Sequence, residues 1–150
     1  MNPFHSEFPI RFSDIDAAGI VYFPRLLHFC HCALEDFVTE RSGVSYRRLV
    51  QSGVGFPITR VECRFFARVR YQDRLLVHLT AEDIRAHAFR LRYDLEALEE
   101  GAESARSTAV VRLVHAVTSL GETFRLESIP DPLREALASI RESSNEGKDH

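Results

Sequence analysis

The sequence predicts an α+β fold in which a curved antiparallel sheet wraps around one long central helix. Apolar residues recur at helical spacing from Leu26 to Val38. After Gly55 the period switches to two and holds through several long segments. Short turn signals join those segments, which makes sequential strands antiparallel. A long apolar helix needs a concave apolar surface to cover it, and a curved sheet supplies one.

Taken in order, Phe8 to Phe12 alternates apolar and other residues and reads as a first strand, with Pro9 suited to an edge or a strand start. A loop from Asp14 to Val21 follows. Pro24 stands at the expected N1 position of the helix, where its fixed φ fits and its missing donor is not needed. Leu26, Leu27, Cys30, Ala33, Leu34, Phe37 and Val38 form the apolar stripe, Arg41 lies near the end, and Gly43 can supply the left-handed C′ residue. Ser45 to Ser52 reads as a second short helix, with Ser45 as N-cap and Gly53 as terminator. Thr59–Phe65, Leu75–Leu79 and Phe89–Ala97 alternate as half-buried strands. The strand from Ala109 to Val117 is apolar on both faces through Val110 and Val114, which suits a central or interface position. Phe124 and Leu126 suggest a short last strand. Turns are marked by Tyr71-Gln72-Asp73, Glu99-Glu100-Gly101 and Leu120-Gly121-Glu122. Pro130 and Pro132 precede a terminal helix expected over 133–140. Residues 1–142 read as one domain, and 143–150 as a disordered polar tail.

A hydrophobic content of 45% in 150 residues allows a substantial core. The net charge of −3 gives no global basic field for nucleic acid. No apolar run approaches the roughly 20 residues of a membrane span. Cys30, Cys32 and Cys63 are an odd number without a secretory signal, which argues against a disulfide framework and for the cytoplasm. Cys30 and Cys32 are two apart on a helix and do not share a face, so core filling outweighs zinc binding.

The informative stretch is Asp14-Ile15-Asp16-Ala17-Ala18-Gly19-Ile20-Val21-Tyr22-Phe23-Pro24. It places carboxylates a few residues before the N-terminus of a long helix. A carboxylate can attack a carbonyl or activate water. The free N–H groups and positive dipole end of a helix can hold the developing oxyanion. One loop therefore offers both halves of an acyl-transfer site.

This loop, with the order of elements around it, resembles the hotdog-fold acyl-CoA thioesterases of the 4-hydroxybenzoyl-CoA thioesterase type, over roughly residues 5 to 128. Gly55-Phe56-Pro57-Ile58 and Tyr71-Gln72-Asp73 are weaker shared features. The resemblance implies a homodimer of paired sheets, usually assembled into a homotetramer, with active sites at the subunit interface. It implies Asp16 as nucleophile or general base, the Phe23 backbone N–H as the group polarising the thioester carbonyl, and Gly19 as the glycine that lets backbone approach the substrate. It further implies substrate contacts from Tyr22, His31 and Phe56, and from Arg85 and His87 against the CoA phosphates. It calls for no metal and no cofactor, CoA being part of the substrate. Two departures bear on selectivity: His31 stands where many members carry an acidic residue, and Phe23 replaces a polar ring.

Other readings compete. An isolated Asp-x-Asp is most often a turn, and Asp14 reads as structural, holding loop N–H groups and orienting Asp16. A calcium loop would need oxygen ligands at its fifth and twelfth positions, which hold Ala18 and Arg25. A phosphatase would need a parallel sheet, against the antiparallel second half. His28 and His31 share a helix face but lack further metal ligands. His78 and His115 read as structural. Arg60, Arg64, Arg68, Arg70 and Arg74 read mostly as a solvated series, part of which can help hold CoA phosphates. A non-catalytic acyl-binding module and a hydratase are the alternatives to hydrolysis.

Overall fold

In the computed structural model, which describes residues 3–143, eleven-residue strands form the centre of the sheet. The chain runs through β1 (Phe4–Pro9), a 3-10 turn (Phe12–Asp14), α1 (Phe23–Ser42), α2 (Tyr46–Gln51), β2 (Val54–Gly55), β3 (Ile58–Phe65), β4 (Arg74–Ile84), β5 (Ala88–Leu98), β6 (Arg106–Ala116), β7 (Thr118–Ser119) and α3 (Asp131–Ser139). The main sheet is antiparallel throughout, in the order β1-β4-β5-β6-β3. A two-stranded ribbon pairs β2 with β7.

The period-two pattern becomes burial. Leu75, Val77, Leu79 and Ala81 of β4 face inward, as do Phe89, Leu91, Tyr93, Leu95 and Ala97 of β5, all at most 3% exposed. Against them α1 lays Leu26, Phe29, Cys30, Ala33, Leu34, Phe37 and Val38. Phe4 meets Phe37 edge-on at 5.4 Å, and Phe8 meets Phe29 at 5.3 Å, so β1 fastens one flank of the helix. A helix of 20 residues is about 30 Å long, so the sheet can cover all of it. Gly43, at φ +73, ends it in the left-handed region. Ser45 caps α2 by accepting the Arg48 N–H at 3.2 Å.

Several boundaries differ from the sequence reading. The first strand is β1 over Phe4–Pro9, not Phe8–Phe12, because Phe4 and Ser6 are the residues that face α1. Beyond Pro9 the chain leaves the sheet, and the Asp14 carboxylate accepts the Arg11 N–H at 2.8 Å to close the 3-10 turn. Helix α1 begins at Phe23, which makes Pro24 its second residue; first-turn donors have no intrahelical acceptor, so the shift is harmless. Phe124 and Leu126 form no strand. Leu126 makes a single bridge to Thr118, and the Phe124 and Leu126 side chains are exposed. The strand there is β7, whose partner β2 runs past it so closely that a Cβ on Gly55 would lie 2.6 Å from Leu120. The final helix starts two residues early, at Asp131, and its end is tied to β4 by the Ala81 N–H to the Ile140 carbonyl at 3.0 Å.

Strand β6 lies between β5 and β3, as expected for a strand apolar on both faces. Strand β3 is a sheet edge, and its alternation does not become burial: only Cys63 is partly covered. Ser143 aside, the expected polar tail lies outside the described residues. Among the described residues no helix is long and apolar enough to cross a membrane.

Candidate active site

The Asp16 loop is a small hairpin. Ile15 and Val21 form an antiparallel bridge, and the Gly19 N–H bonds the Asp16 carbonyl at 3.0 Å. The Asp16 N–H bonds the Ile20 carbonyl at 3.0 Å, so Gly19 occupies the extra, left-handed position at φ +75. A Cβ on Gly19 would meet nothing within 4 Å. The backbone conformation requires the glycine, and the space beside it is open.

The turn sets the Asp16 carboxylate. Its Oδ1 accepts the Ala18 N–H at 2.8 Å, and no described group bonds its Oδ2. The side chain is exposed and available to a ligand. The whole turn is seated by neighbouring backbone: Ile20 bridges Arg70, and the Val21 N–H bonds the Val69 carbonyl at 2.8 Å.

Asp14 does a different job. Its carboxylate is buried and accepts from Arg25 Nη2 at 2.7 Å, Arg25 Nε at 3.1 Å and the Arg11 N–H at 2.8 Å. Its carbonyl accepts the N–H of Tyr22, the residue that precedes α1, at 3.0 Å. Asp14 thus locks the first turn of α1 to the loop that carries Asp16. The expectation of a structural Asp14 holding loop N–H groups is met, but its principal partner is Arg25, which sequence reasoning missed.

At the helix start, no acceptor among the described residues takes the Phe23 N–H, and Pro24 has none to offer. A donor at the positive end of a 20-residue helix is suited to a developing negative charge. Beside it lies a cavity of about 300 Å³, lined by Ile20, Phe23, Leu26, Phe65, Phe66 and Arg68 among others. The Phe23 ring meets Phe65 edge-on at 6.3 Å, and Tyr22 at 5.7 Å. The doublet Phe65-Phe66, which breaks the alternation at the end of β3, was the sequence signal for this cavity.

Three expected substrate residues lie elsewhere in the protomer. Phe56 is buried between Tyr46 and Phe89, at 5.9 and 6.0 Å, and accepts a hydrogen bond from His115 Nδ1 with its carbonyl. It belongs to the core because the β2 ribbon turns it under α2. Arg85 and His87 sit in the β4–β5 turn, whereas the Asp16 loop is tied to the segment just before β4 by the Val21 N–H to the Val69 carbonyl at 2.8 Å. The two ends of β4 are separated by its 11 residues, about 35 Å. Arg85 Nε donates to Asp83 at 2.7 Å and holds that carboxyl below its usual range. His87 Nδ1 faces the Glu127 carbonyl at 2.9 Å. His31 is half-exposed on α1, paired with Glu35 at 3.0 Å and edge-on to Tyr46 at 5.7 Å. It lies eight residues after Phe23, about 12 Å along the axis. A cavity of about 740 Å³ between α1 and α2 is lined by Glu35, Asp36, Glu40 and Tyr46, far along the helix from Asp16.

Known proteins resemble this chain in sequence and in fold. Residues 10–137 match the model of the thioesterase-like superfamily. A 1,4-dihydroxy-2-naphthoyl-CoA hydrolase of Thermosynechococcus vestitus is 36% identical over 141 residues, spanning 93% of this chain and 92% of its own. The crystal structure of a 1,4-dihydroxy-2-naphthoyl-CoA thioesterase from Synechocystis superposes with a TM-score of 0.80 at 29% identity, covering 93% of this chain and 98% of that one. An aspartate-to-asparagine variant of 4-hydroxybenzoyl-CoA thioesterase, crystallised with 4-hydroxybenzoyl-CoA, shares the fold at a TM-score of 0.80 and 20% identity, over 91% of this chain and 99% of that one.

Proposed function

The chain belongs to the thioesterase-like superfamily and is a thioester hydrolase of the hotdog fold, and we propose that its substrate is a hydroxylated aromatic acyl-CoA, hydrolysed with Asp16 as nucleophile or general base. The observation that carries this reading is the pairing, across one short hairpin, of an exposed carboxylate with an uncommitted helix N-terminal donor beside an aromatic cavity. The relatives acting on 1,4-dihydroxy-2-naphthoyl-CoA make that ester the first candidate.

In this mechanism the thioester carbonyl oxygen accepts the Phe23 N–H. Asp16 either adds to the carbonyl carbon or takes a proton from the water that does. The tetrahedral oxyanion is held at the helix N-terminus, a contribution on the order of 10²–10³ in rate for a good donor. Collapse breaks the C–S bond and expels the CoA thiolate. If Asp16 attacked, water then hydrolyses the acyl-aspartate. A thiolate leaves readily, so the reaction calls for no cofactor.

Phe23 and Tyr22 would flank the acyl group, and His31 would read its far end. Arg85 and His87 could reach such a ligand only from a second copy of the chain, as in a homodimer or homotetramer. The exposed apolar edge of β3, with Val61 and Phe65 about half uncovered, supports such an assembly. The free thiols of Cys30, Cys32 and Cys63 suit the cytoplasm.

The test is thiol release from 1,4-dihydroxy-2-naphthoyl-, 4-hydroxybenzoyl-, benzoyl-, short- and medium-chain acyl-CoAs. Preference for the hydroxylated aromatic esters is expected. Preference for aliphatic esters would overturn the substrate assignment.

A further inference from the structure

The Asp16 hairpin is seated on a segment whose own support lies outside the site. Ile20 bridges Arg70, and the Val21 N–H donates to the Val69 carbonyl, so the hairpin rests on residues 69 and 70. Arg70 in turn opens a tight turn, Arg70-Tyr71-Gln72-Asp73, closed by the Asp73 N–H to the Arg70 carbonyl at 3.1 Å. Gln72, its third residue, has φ +69, a left-handed conformation that such turns normally give to glycine or asparagine. A turn built on an unfavourable backbone conformation persists only where its surroundings hold it.

Asp73 and Arg106 hold it. Asp73 is buried, and its Oδ2 accepts the Arg70 N–H at 2.9 Å, which closes the turn a second time. The same oxygen accepts from Arg106 Nη2 at 3.2 Å, and that nitrogen also donates to the Arg68 carbonyl at 2.7 Å. One guanidinium from the start of β6 therefore clasps the chain on both sides of Val69 and Arg70, the two residues that carry the hairpin. Its Nη1 pairs with Glu99 at 3.2 Å, which anchors it beside the β5–β6 turn. A planar fork of donors can serve three acceptors at fixed angles; an ammonium cannot. Neither Asp73 nor Arg106 lines the cavity beside Phe23, so neither is placed to touch the acyl group.

We propose that Arg106 and Asp73 are positioning residues for the hydrolysis, acting on Asp16 through the segment 68–73. The path is continuous. Arg106 fixes the Arg68 carbonyl and the Asp73 carboxylate, and these fix Val69 and Arg70. The Arg70 bridge fixes Ile20, whose carbonyl accepts the Asp16 N–H at 3.0 Å. The helix start is held separately, by Arg25 on Asp14. The Arg106–Asp73 pair therefore sets where Asp16 stands relative to the Phe23 N–H. A misplacement of about 1 Å between reacting groups costs on the order of 10²-fold in rate, so a brace remote from the chemistry is visible in kcat. The inference rests on the reading of Asp16 as the hydrolytic carboxylate and adds two residues from outside its loop.

Thiol-release kinetics with Arg106→Ala should show kcat lowered about tenfold or more and KM little changed. Arg106→Lys, which keeps the charge and loses the fork, should recover part of the loss. Asp73→Asn keeps an oxygen for the Arg70 N–H and should lower kcat several-fold; it carries the test if Arg106→Ala does not fold. Two further readouts separate positioning from a general loss of structure. In an Asp16→Asn background, Arg106→Ala should change the residual turnover by less than about twofold, because the group it positions is gone. Amide hydrogen exchange at Asp16 and Val21 should quicken about tenfold or more, while the Leu91 and Tyr93 amides of β5 keep their wild-type rates. Wild-type kcat in both Arg106→Ala and Asp73→Asn would overturn the proposal. Equal losses with and without the Asp16 carboxylate would do the same, as would exchange that quickens throughout the sheet. Failure of the hydrolytic reading is seen separately, as wild-type turnover by Asp16→Asn alone, and it removes this proposal with it.

Discussion

The buried Asp14 carboxylate and the Arg25 guanidinium are joined by two hydrogen bonds, at 2.7 and 3.1 Å, across the start of the central helix. The pair fixes the relation between the two halves of the candidate site, because Asp14 belongs to the loop and Arg25 to the first turn of α1. Arg25→Ala leaves Asp14 with only the Arg11 N–H as a side-chain partner. A stability loss of about 1–3 kcal/mol is expected from the broken charge-assisted bonds. Turnover should fall as well, since the Phe23 N–H shifts relative to Asp16. Urea denaturation and thiol-release kinetics on one preparation check both; unchanged turnover in a destabilised protein would confine Arg25 to a structural role.

Gly19 is required for its left-handed backbone at φ +75, with open space where a Cβ would go. Gly19→Ala should therefore destabilise by about 1–2 kcal/mol, and Gly19→Asn by less, since Asn tolerates this region. Equal stability of all three proteins in urea would contradict the hairpin geometry assigned to the Asp16 turn.

His115 supplies a pH signature. It is 1% exposed, stacked on Phe89 at 5.0 Å, with Nδ1 to the Phe56 carbonyl at 3.0 Å and Nε2 unpaired among the described residues. Burial lowers its pKa below the usual 6.5. The unfolded chain then binds the proton first as pH falls, so stability is lost from about pH 6.5 down to the folded value and is full above that window. The slope contributed is at most about 1.4 kcal/mol per pH unit. Thermal melts between pH 5 and 8 should show this decline, and His115→Gln should flatten it.

The exposed β3 edge predicts self-association. Val61→Glu should shift the protein toward monomer in light scattering after size exclusion, with its far-ultraviolet circular dichroism unchanged. An unchanged oligomer would place the interface elsewhere.

Much of the fold was legible because burial follows period. The α1 stripe and the inward residues of β4, β5 and β6 were all readable from spacing. Misreadings fell where local pattern and tertiary context disagree. Phe8 to Phe12 alternates, yet Phe12 turns outward because Asp14 closes the 3-10 turn. Strand β3 alternates, yet its edge position leaves both faces open. Within the site, Asp16, Gly19 and the Phe23 N–H are local in sequence and were visible there. The Arg25 partner of Asp14 depends on how the loop folds back against the first turn of α1, so no spacing rule reveals it. Conversely, Arg85 and His87 were grouped with Asp16 by resemblance, and the length of β4 separates them within a protomer.

If the Asp16 carboxylate performs the hydrolysis, thiol release from 1,4-dihydroxy-2-naphthoyl-CoA and 4-hydroxybenzoyl-CoA by wild type and Asp16→Asn side by side shows it most directly. Asparagine retains an oxygen to accept the Ala18 N–H but can neither attack nor take a proton. A fall in kcat on the order of 10²-fold or more is expected, with KM and thermal stability little changed. Equal turnover by both proteins would contradict it, and water addition to an enoyl-CoA without thiol release would point to a hydratase instead.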